Sequence, residues 1–243
     1  MRFLIKFSYD GTLFIGFQRQ PNKRTIQGGI ERALKEINDS KKVNLVATGR
    51  TDKKVHAMCQ YAHCDLDVKI TENSLKRALN SKLPDDIHII STKTVDKDFN
   101  ARYCVKEKTY KYLLNMGEYN PCDRNYIYQY CHNLDIDNMK DCIKAFVGEH
   151  DFRALVTENK ERENCIRTIT NTTIKEENDI LEITFTGNGF LKYQVRNMVG
   201  LLIRAGEDKI KKEDIVKIIE SKDRTKTGKT APAEGLYLAN IKY

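Results

Sequence analysis

The chain has 243 residues, of which 40% are hydrophobic and 31% charged, and it contains no Trp. That is enough apolar material to build one large core or two small ones, which excludes general disorder. No apolar run approaches the roughly 18 residues needed to span a membrane. The start, MRFLIKFSYDGT, lacks the apolar core of a signal peptide, so a cytoplasmic protein is expected. The 42 Lys+Arg against 34 Asp+Glu leave a net charge of +8. Residues 1–56 hold 12 Lys+Arg and 5 Asp+Glu, so almost all of the excess lies there. A basic quarter of this kind fits either a solvated lysine-rich face or a polyanionic partner such as nucleic acid.

In chain order, the β-rich run 2–9 ends at the turn Asp10-Gly11 and predicts a strand. Ile26, Ile30, Ala33, Leu34 and Ile37 recur at helical spacing, which predicts a helix over about 25–38. Short apolar runs at 43–48 and 56–66 read as strands. Leu75, Leu79 and Leu83 place a helix over 71–82, stopped near Pro84. Residues 87–95 close the set. The order βαββαβ is that of a ferredoxin-like sandwich. The second half repeats the order. A strand is expected at 102–114, a helix near 135–147, strands at 164–176 and 180–186, helices at 189–205 and 211–221, and a last strand at 235–242. The expected fold class is α+β, with two lobes, 1–100 and 101–243, sharing a cleft.

Seven Cys (59, 64, 104, 122, 131, 142, 165) form no CxxC pair, which fits a reducing compartment rather than a disulfide scaffold. Cys59, His63 and Cys64 are the nearest approach to a ligand cluster. They fall in an alternating run that sends His63 and Cys64 to opposite faces, so no metal is expected. Gly228-Lys229-Thr230 resembles the end of a P-loop, but Asp223 occupies the place of its first Gly.

The segment Gly49-Arg50-Thr51-Asp52-Lys53-Lys54 joins two apolar runs and sets one carboxylate among cations. Asp52 is either the acceptor of a solvated turn or a nucleophile or base held ionised for a polyanionic substrate. His56, beside it, reads as structural. Tyr110 and Tyr112 share one face of a strand and Thr109 and Lys111 take the other. The tyrosines are core residues or stacking surfaces for bases. Arg196 lies among Leu191, Val195, Met198 and Val199, where a guanidinium needs an anionic partner or a route to water.

Seven motifs in order, across nearly the whole chain, resemble the TruA family of tRNA pseudouridine synthases. They are Tyr9-Asp10-Gly11 with Gly16 through Gln20, Thr25-Ile26-Gln27, Gly49-Arg50-Thr51-Asp52 with Val55-His56-Ala57, Phe99 through Arg102, Lys108 through Tyr112, Phe190 through Gly200, and Thr230 through Ala233 with Gly235-Leu236. The resemblance implies two ferredoxin-like lobes with joined antiparallel sheets. It also implies conversion of uridine to pseudouridine at positions 38 to 40 of the tRNA anticodon arm, without a cofactor, by a homodimer. Asp52 then matches the essential aspartate and Arg50 the arginine that helps extrude the nucleotide. Tyr110 matches the tyrosine that stacks on the base and can assist proton removal from C5. Arg196 matches the partner of the carboxylate and Leu236 an aliphatic pocket residue. Arg19, Lys53 and Lys54 are expected near the RNA. Lys53-Lys54 depart from the family's Ala-Gly. Glycine permits φ > 0, and lysine held there is strained by roughly 1–2 kcal/mol. Two further readings stay open: a divergent paralogue acting on another RNA position, and a non-catalytic RNA-binding protein on the same scaffold.

Overall fold

The computed structural model describes residues 1–156 and 164–243. It is an α+β protein whose chain divides into two compact units, Met1–Lys106 with Tyr237–Tyr243, and Glu107–Leu236.

The first unit follows the expected order: β1 (Arg2–Tyr9), α1 (Ile26–Ile37), β2 (Val46–Ala47), β3 (His56–Asp65), α2 (Glu72–Lys82) and β4 (Ile87–Val95). Strand β1 alternates strictly, and Phe3, Ile5, Phe7 and Tyr9 are buried. It pairs antiparallel with β3 and β4, and β2 pairs antiparallel with β3. This is the sheet order of a ferredoxin-like unit. Both helices start on threonine caps: Thr25 accepts from the Gly28 amide and Thr71 from the Ser74 amide. Such caps satisfy backbone donors that a helix start otherwise leaves unpaired. Ile26, Ile30, Ala33 and Leu34 form the buried stripe of α1. The strand expected over 43–48 shrinks to two residues, because only Val46 and Ala47 pair with β3.

The second unit contains β5 (Glu107–Asn115), β6 (Tyr128–Gln129), α3 (Ile136–Cys142), β7 (Gly148–Asp151), β8 (Ile166–Glu177), β9 (Ile180–Gly187), α4 (Gln194–Gly206) and α5 (Lys212–Ser221). Its strands run in the order β5-β9-β8-β7. Tyr112, Leu114, Ile183 and Phe185 are fully buried on them. The helix expected at 135–147 is α3 continued by a 3-10 turn, Ile143–Phe146. The helix expected from 189 starts at Gln194, because Tyr193 takes φ 63° and breaks the run.

The observed units differ from the expected division at residue 100. Residues beyond 100 are fastened to the first unit: the Ala101 amide donates to His63 Nδ1 (3.1 Å) and the Lys106 amide to the Lys242 carbonyl (2.9 Å). The last strand, β10 (Leu236–Lys242), pairs parallel with β3 at Tyr237↔His56 and Leu238↔Ala57. Local pattern locates this strand and does not say which strand it will pair with.

Candidate active site

Asp52 lies in the connection between β2 and β3 and is partly exposed. The Val55 amide donates to the Asp52 carbonyl (3.2 Å), closing a tight turn over 52–55. Lys54, third in that turn, takes φ 66°. Turns of this kind require φ > 0 at the third position, hence their preference for glycine. The backbone therefore keeps the conformation that a glycine would favour, and the lysine bears the strain. Arg50, Lys53 and Lys54 are exposed and form no ion pair among the described residues. The segment thus carries one carboxylate with three exposed cations within two residues of it in sequence.

Backbone packing fixes this turn from below. The Phe17 amide donates to the Thr51 carbonyl (3.1 Å). Gly11 abuts the end of the turn so closely that a Cβ on it would overlap the Val55 carbonyl oxygen and lie 2.6 Å from its carbon. The Tyr9 and Thr51 hydroxyls share a 2.7 Å hydrogen bond, and burial pushes the Tyr9 phenol well above its ordinary pKa. Gln60 Nε2 donates to the Gly49 carbonyl (3.2 Å). His56 is buried, accepts from the Gly11 amide at Nδ1 (3.1 Å) and stacks on Tyr237 at 4.8 Å. The same Nδ1 lies 3.2 Å from Asp10 Oδ1, so this nitrogen is tied to the Asp10-Gly11 turn. Arg19 Nη1 sits 3.4 Å from the buried Glu31 carboxylate while 54% of the Arg19 side chain stays exposed.

The other expected residues gather in the second unit. On β5, Thr109 meets Thr186 (3.1 Å) and Lys111 pairs with Glu182 (2.8 Å) on one face. Tyr110 and Tyr112 take the opposite face and differ in burial. Tyr112 is fully buried, and its hydroxyl donates to the Pro232 carbonyl (2.9 Å). Burial and the nearby Glu234 carboxylate hold its phenol well above the usual range. Tyr110 is partly exposed and meets Phe190 edge-on at 5.1 Å. A ring with one edge packed and some surface accessible can stack on a base. Arg196 lies in the first turn of α4. Its Nε donates to the Ala231 carbonyl (2.7 Å), its backbone carbonyl accepts from the Ala231 amide (3.1 Å), and its guanidinium lies 5.2 Å over the Tyr193 ring. Gly200, one turn on, lets the 229–231 segment approach: a Cβ there would overlap the Lys229 carbonyl oxygen. Leu236 is 5% exposed at the start of β10.

The structure thus groups Asp52, Arg50, Lys53 and Lys54 on one turn, and Tyr110, Arg196 and Leu236 around β5, α4 and the 230–236 segment. Sequence reasoning missed the residues that hold these groups: Gly11, Tyr9, Thr51, Asn197, Arg224 and Thr230. All but Arg224 stand inside quoted motifs, so the signal was present without its meaning. Cys59, His63 and Cys64 are buried. Among the described residues no group of three or more His, Cys, Asp or Glu is placed to hold a metal ion. No helix among them is long and apolar enough to cross a membrane.

The family model described as tRNA pseudouridine synthase matches residues 5–104 and 142–243. A protein named tRNA pseudouridine synthase A from Caldicellulosiruptor bescii is 44% identical over 241 residues, 99% of this chain and 98% of its own. Proteins of the same name from Limosilactobacillus reuteri (42%, 100% and 96%) and Streptococcus pneumoniae (40%, 100% and 98%) align equally fully. Fold and motifs are therefore those of a pseudouridine synthase, an isomerase enzyme. More narrowly, the chain belongs to the tRNA pseudouridine synthase family.

Proposed function

We propose that this enzyme isomerises uridine to pseudouridine in the anticodon arm of tRNA, at positions 38 to 40, with Asp52 as its catalytic carboxylate. The observation that carries the reading is the Asp52 turn: a carboxylate on a backbone held by hydrogen bonds, with exposed Arg50, Lys53 and Lys54 next to it in the chain. A polyanion drawn to those cations brings its sugar to the carboxylate. Uridine and pseudouridine have the same composition, so the reaction balances with no co-substrate, oxidant or reductant. The N1–C1′ glycosidic bond breaks and the base turns; C5 bonds to C1′ and gives up its proton, and N1, released from the sugar, takes one up.

Each remaining residue has a task. A base within a stacked arm must first swing out, which costs a few kcal/mol. Arg50 supports that extrusion, and the accessible part of Tyr110 receives the base. Asp52 either attacks C1′ or removes a sugar proton. Arg196 pairs with it and keeps it anionic, since a fork of N–H groups matches a carboxylate. Leu236 lines the base pocket. Lys53, Lys54 and Arg19 contact phosphates. The enzyme works in the cytoplasm as a homodimer.

Carbodiimide mapping of tRNA incubated with the pure protein tests the reading. Pseudouridine at 38, 39 or 40 is expected. RNA binding with no isomerisation of any tRNA would favour the non-catalytic alternative, and product at other positions a divergent substrate.

A further inference from the structure

Arg224 follows α5 and is partly buried. Its Nη2 donates to Asn197 Oδ1 (3.1 Å) and Thr230 Oγ1 (2.9 Å), and its Nη1 to the Gly228 carbonyl (3.0 Å). Its Nε is buried and makes no hydrogen bond. All these acceptors are neutral. A guanidinium taken from water without a carboxylate is costly, and burial does lower the hold of this one on its proton. Packing a small hydrophobic residue there would avoid that cost.

What the fork joins explains its presence. Asn197 follows Arg196 on α4, and Thr230 precedes Ala231. Thr230 Oγ1 also donates to Asn197 Oδ1 (2.7 Å), and Asn197 Nδ2 donates to the Leu155 carbonyl (2.7 Å), anchoring the network. Arg196 and Ala231 in turn exchange two hydrogen bonds, at 2.7 and 3.1 Å. The Arg224 fork therefore ties the neighbours of the very two residues whose contact sets the direction of the Arg196 side chain. With Nε of Arg196 committed to a backbone carbonyl, recognition of an anion falls to its two terminal nitrogens.

We propose that Arg224 is a positioning residue for the isomerisation, fixing the 228–231 segment against α4 so that the Ala231 carbonyl holds the Arg196 guanidinium in its working orientation. This role rests on the reading of Arg196 as partner of the catalytic carboxylate.

The test compares full-length Arg224→Met, Arg224→Lys and Thr230→Val with wild type in kcat, KM for tRNA and Tm. For Arg224→Met a loss of roughly tenfold to a hundredfold in kcat is expected, the scale of a small misplacement of a reacting group, with KM within about threefold. Arg224→Lys keeps the charge but not the fork and falls similarly. Thr230→Val keeps shape, loses one anchor and shows a smaller loss in the same direction. The Arg196→Met/Arg224→Met double variant is expected to be no slower than Arg196→Met alone, because the second residue acts through the first. A merely structural role gives independent, multiplying losses instead. Wild-type kcat in a folded Arg224→Met, or a multiplicative double variant, would overturn the proposal. If Arg224→Met does not fold, Thr230→Val alone and combined with Arg196→Met decides by the same criteria. A wild type inactive on every tRNA would overturn the functional reading and this role with it.

Discussion

The Asp52 turn and the Arg196 cluster are held by different balances of backbone and side-chain contacts. The turn is clasped by backbone: the Phe17 amide on the Thr51 carbonyl, the 52–55 turn bond, and Gly11 against Val55. Its own side chains at 53 and 54 are exposed and bear nothing. The Arg196 cluster is held largely by polar side chains from distant parts of the chain, Asn197, Arg224 and Thr230, acting on backbone and on each other. A site clasped by backbone tolerates changed side chains provided the main chain keeps its course. Two lysines can therefore stand beside Asp52, one of them at a positive φ. A site held by side chains has no such freedom.

The sharpest way to break this comparison is at the two glycines where backbones touch. Gly11→Ala places a methyl on the Val55 carbonyl and Gly200→Ala one on the Lys229 carbonyl. Neither neighbour is a flexible side chain, so each variant is expected to lose about 2–3 kcal/mol in urea unfolding, as overpacking does. A cost below about 0.5 kcal/mol at Gly11 would show that the clasp yields and the turn is not fixed by it. Gly189→Ala, whose nearest neighbour is the Arg167 side chain at 3.6 Å, serves as the near-neutral control.

High pH probes what the two regions share. Each is anchored by a buried tyrosine, Tyr9 on Thr51 and Tyr112 on Pro232, and burial raises both phenols. Tyr130 is likewise pushed up to about 12, by burial and then by Glu207. A raised pKa means that the folded state keeps its proton while the unfolded chain ionises near pH 10. The stabilisation is therefore complete below that pH and is lost as pH climbs toward the folded values. Each fully buried tyrosine contributes a slope of about 1.4 kcal/mol per pH unit above pH 10. Unfolding free energies between pH 9 and 11 should fall accordingly, and Tyr9→Phe should flatten the fall. A flat profile would contradict the anchoring.

The smallest effect expected is a gain. Lys54→Gly relieves the left-handed backbone and should stabilise the protein by about 0.5–1 kcal/mol, allowing for the greater freedom of glycine in the unfolded chain. It should also make the salt dependence of tRNA binding shallower by about one unit of log–log slope if Lys54 meets a phosphate. A destabilised Lys54→Gly would mean that the lysine side chain supports the turn after all.

Strict patterns made much of the fold legible. The run 2–9 became β1, and the stripe Ile26, Ile30, Ala33, Leu34 became α1 nearly residue for residue. The expected strand 102–114 starts only at Glu107. Asn100 accepts from the Arg102 amide through its side chain and from the Tyr103 and Cys104 amides through its carbonyl, and that local turn outcompetes strand pairing. Tyr103, counted in the alternation, is 79% exposed. The Asp52 turn was readable because its residues are contiguous, as was the conflict between Lys54 and a positive φ. Arg224 was invisible: its partners lie at 197, 228 and 230, and no periodicity links a 3-10 turn to a helix nearly thirty residues away.

The central claim is that the carboxylate on the 52–55 turn performs the isomerisation. Its most direct test is nucleotide-resolution pseudouridine mapping of tRNA from cells lacking this gene, complemented with wild type or with Asp52→Asn at equal protein level. The account predicts signals at positions 38 to 40 that vanish on deletion and return with wild type. With Asp52→Asn they stay absent, while that variant still binds tRNA within several-fold. Modification restored by Asp52→Asn to near the wild-type level would contradict it.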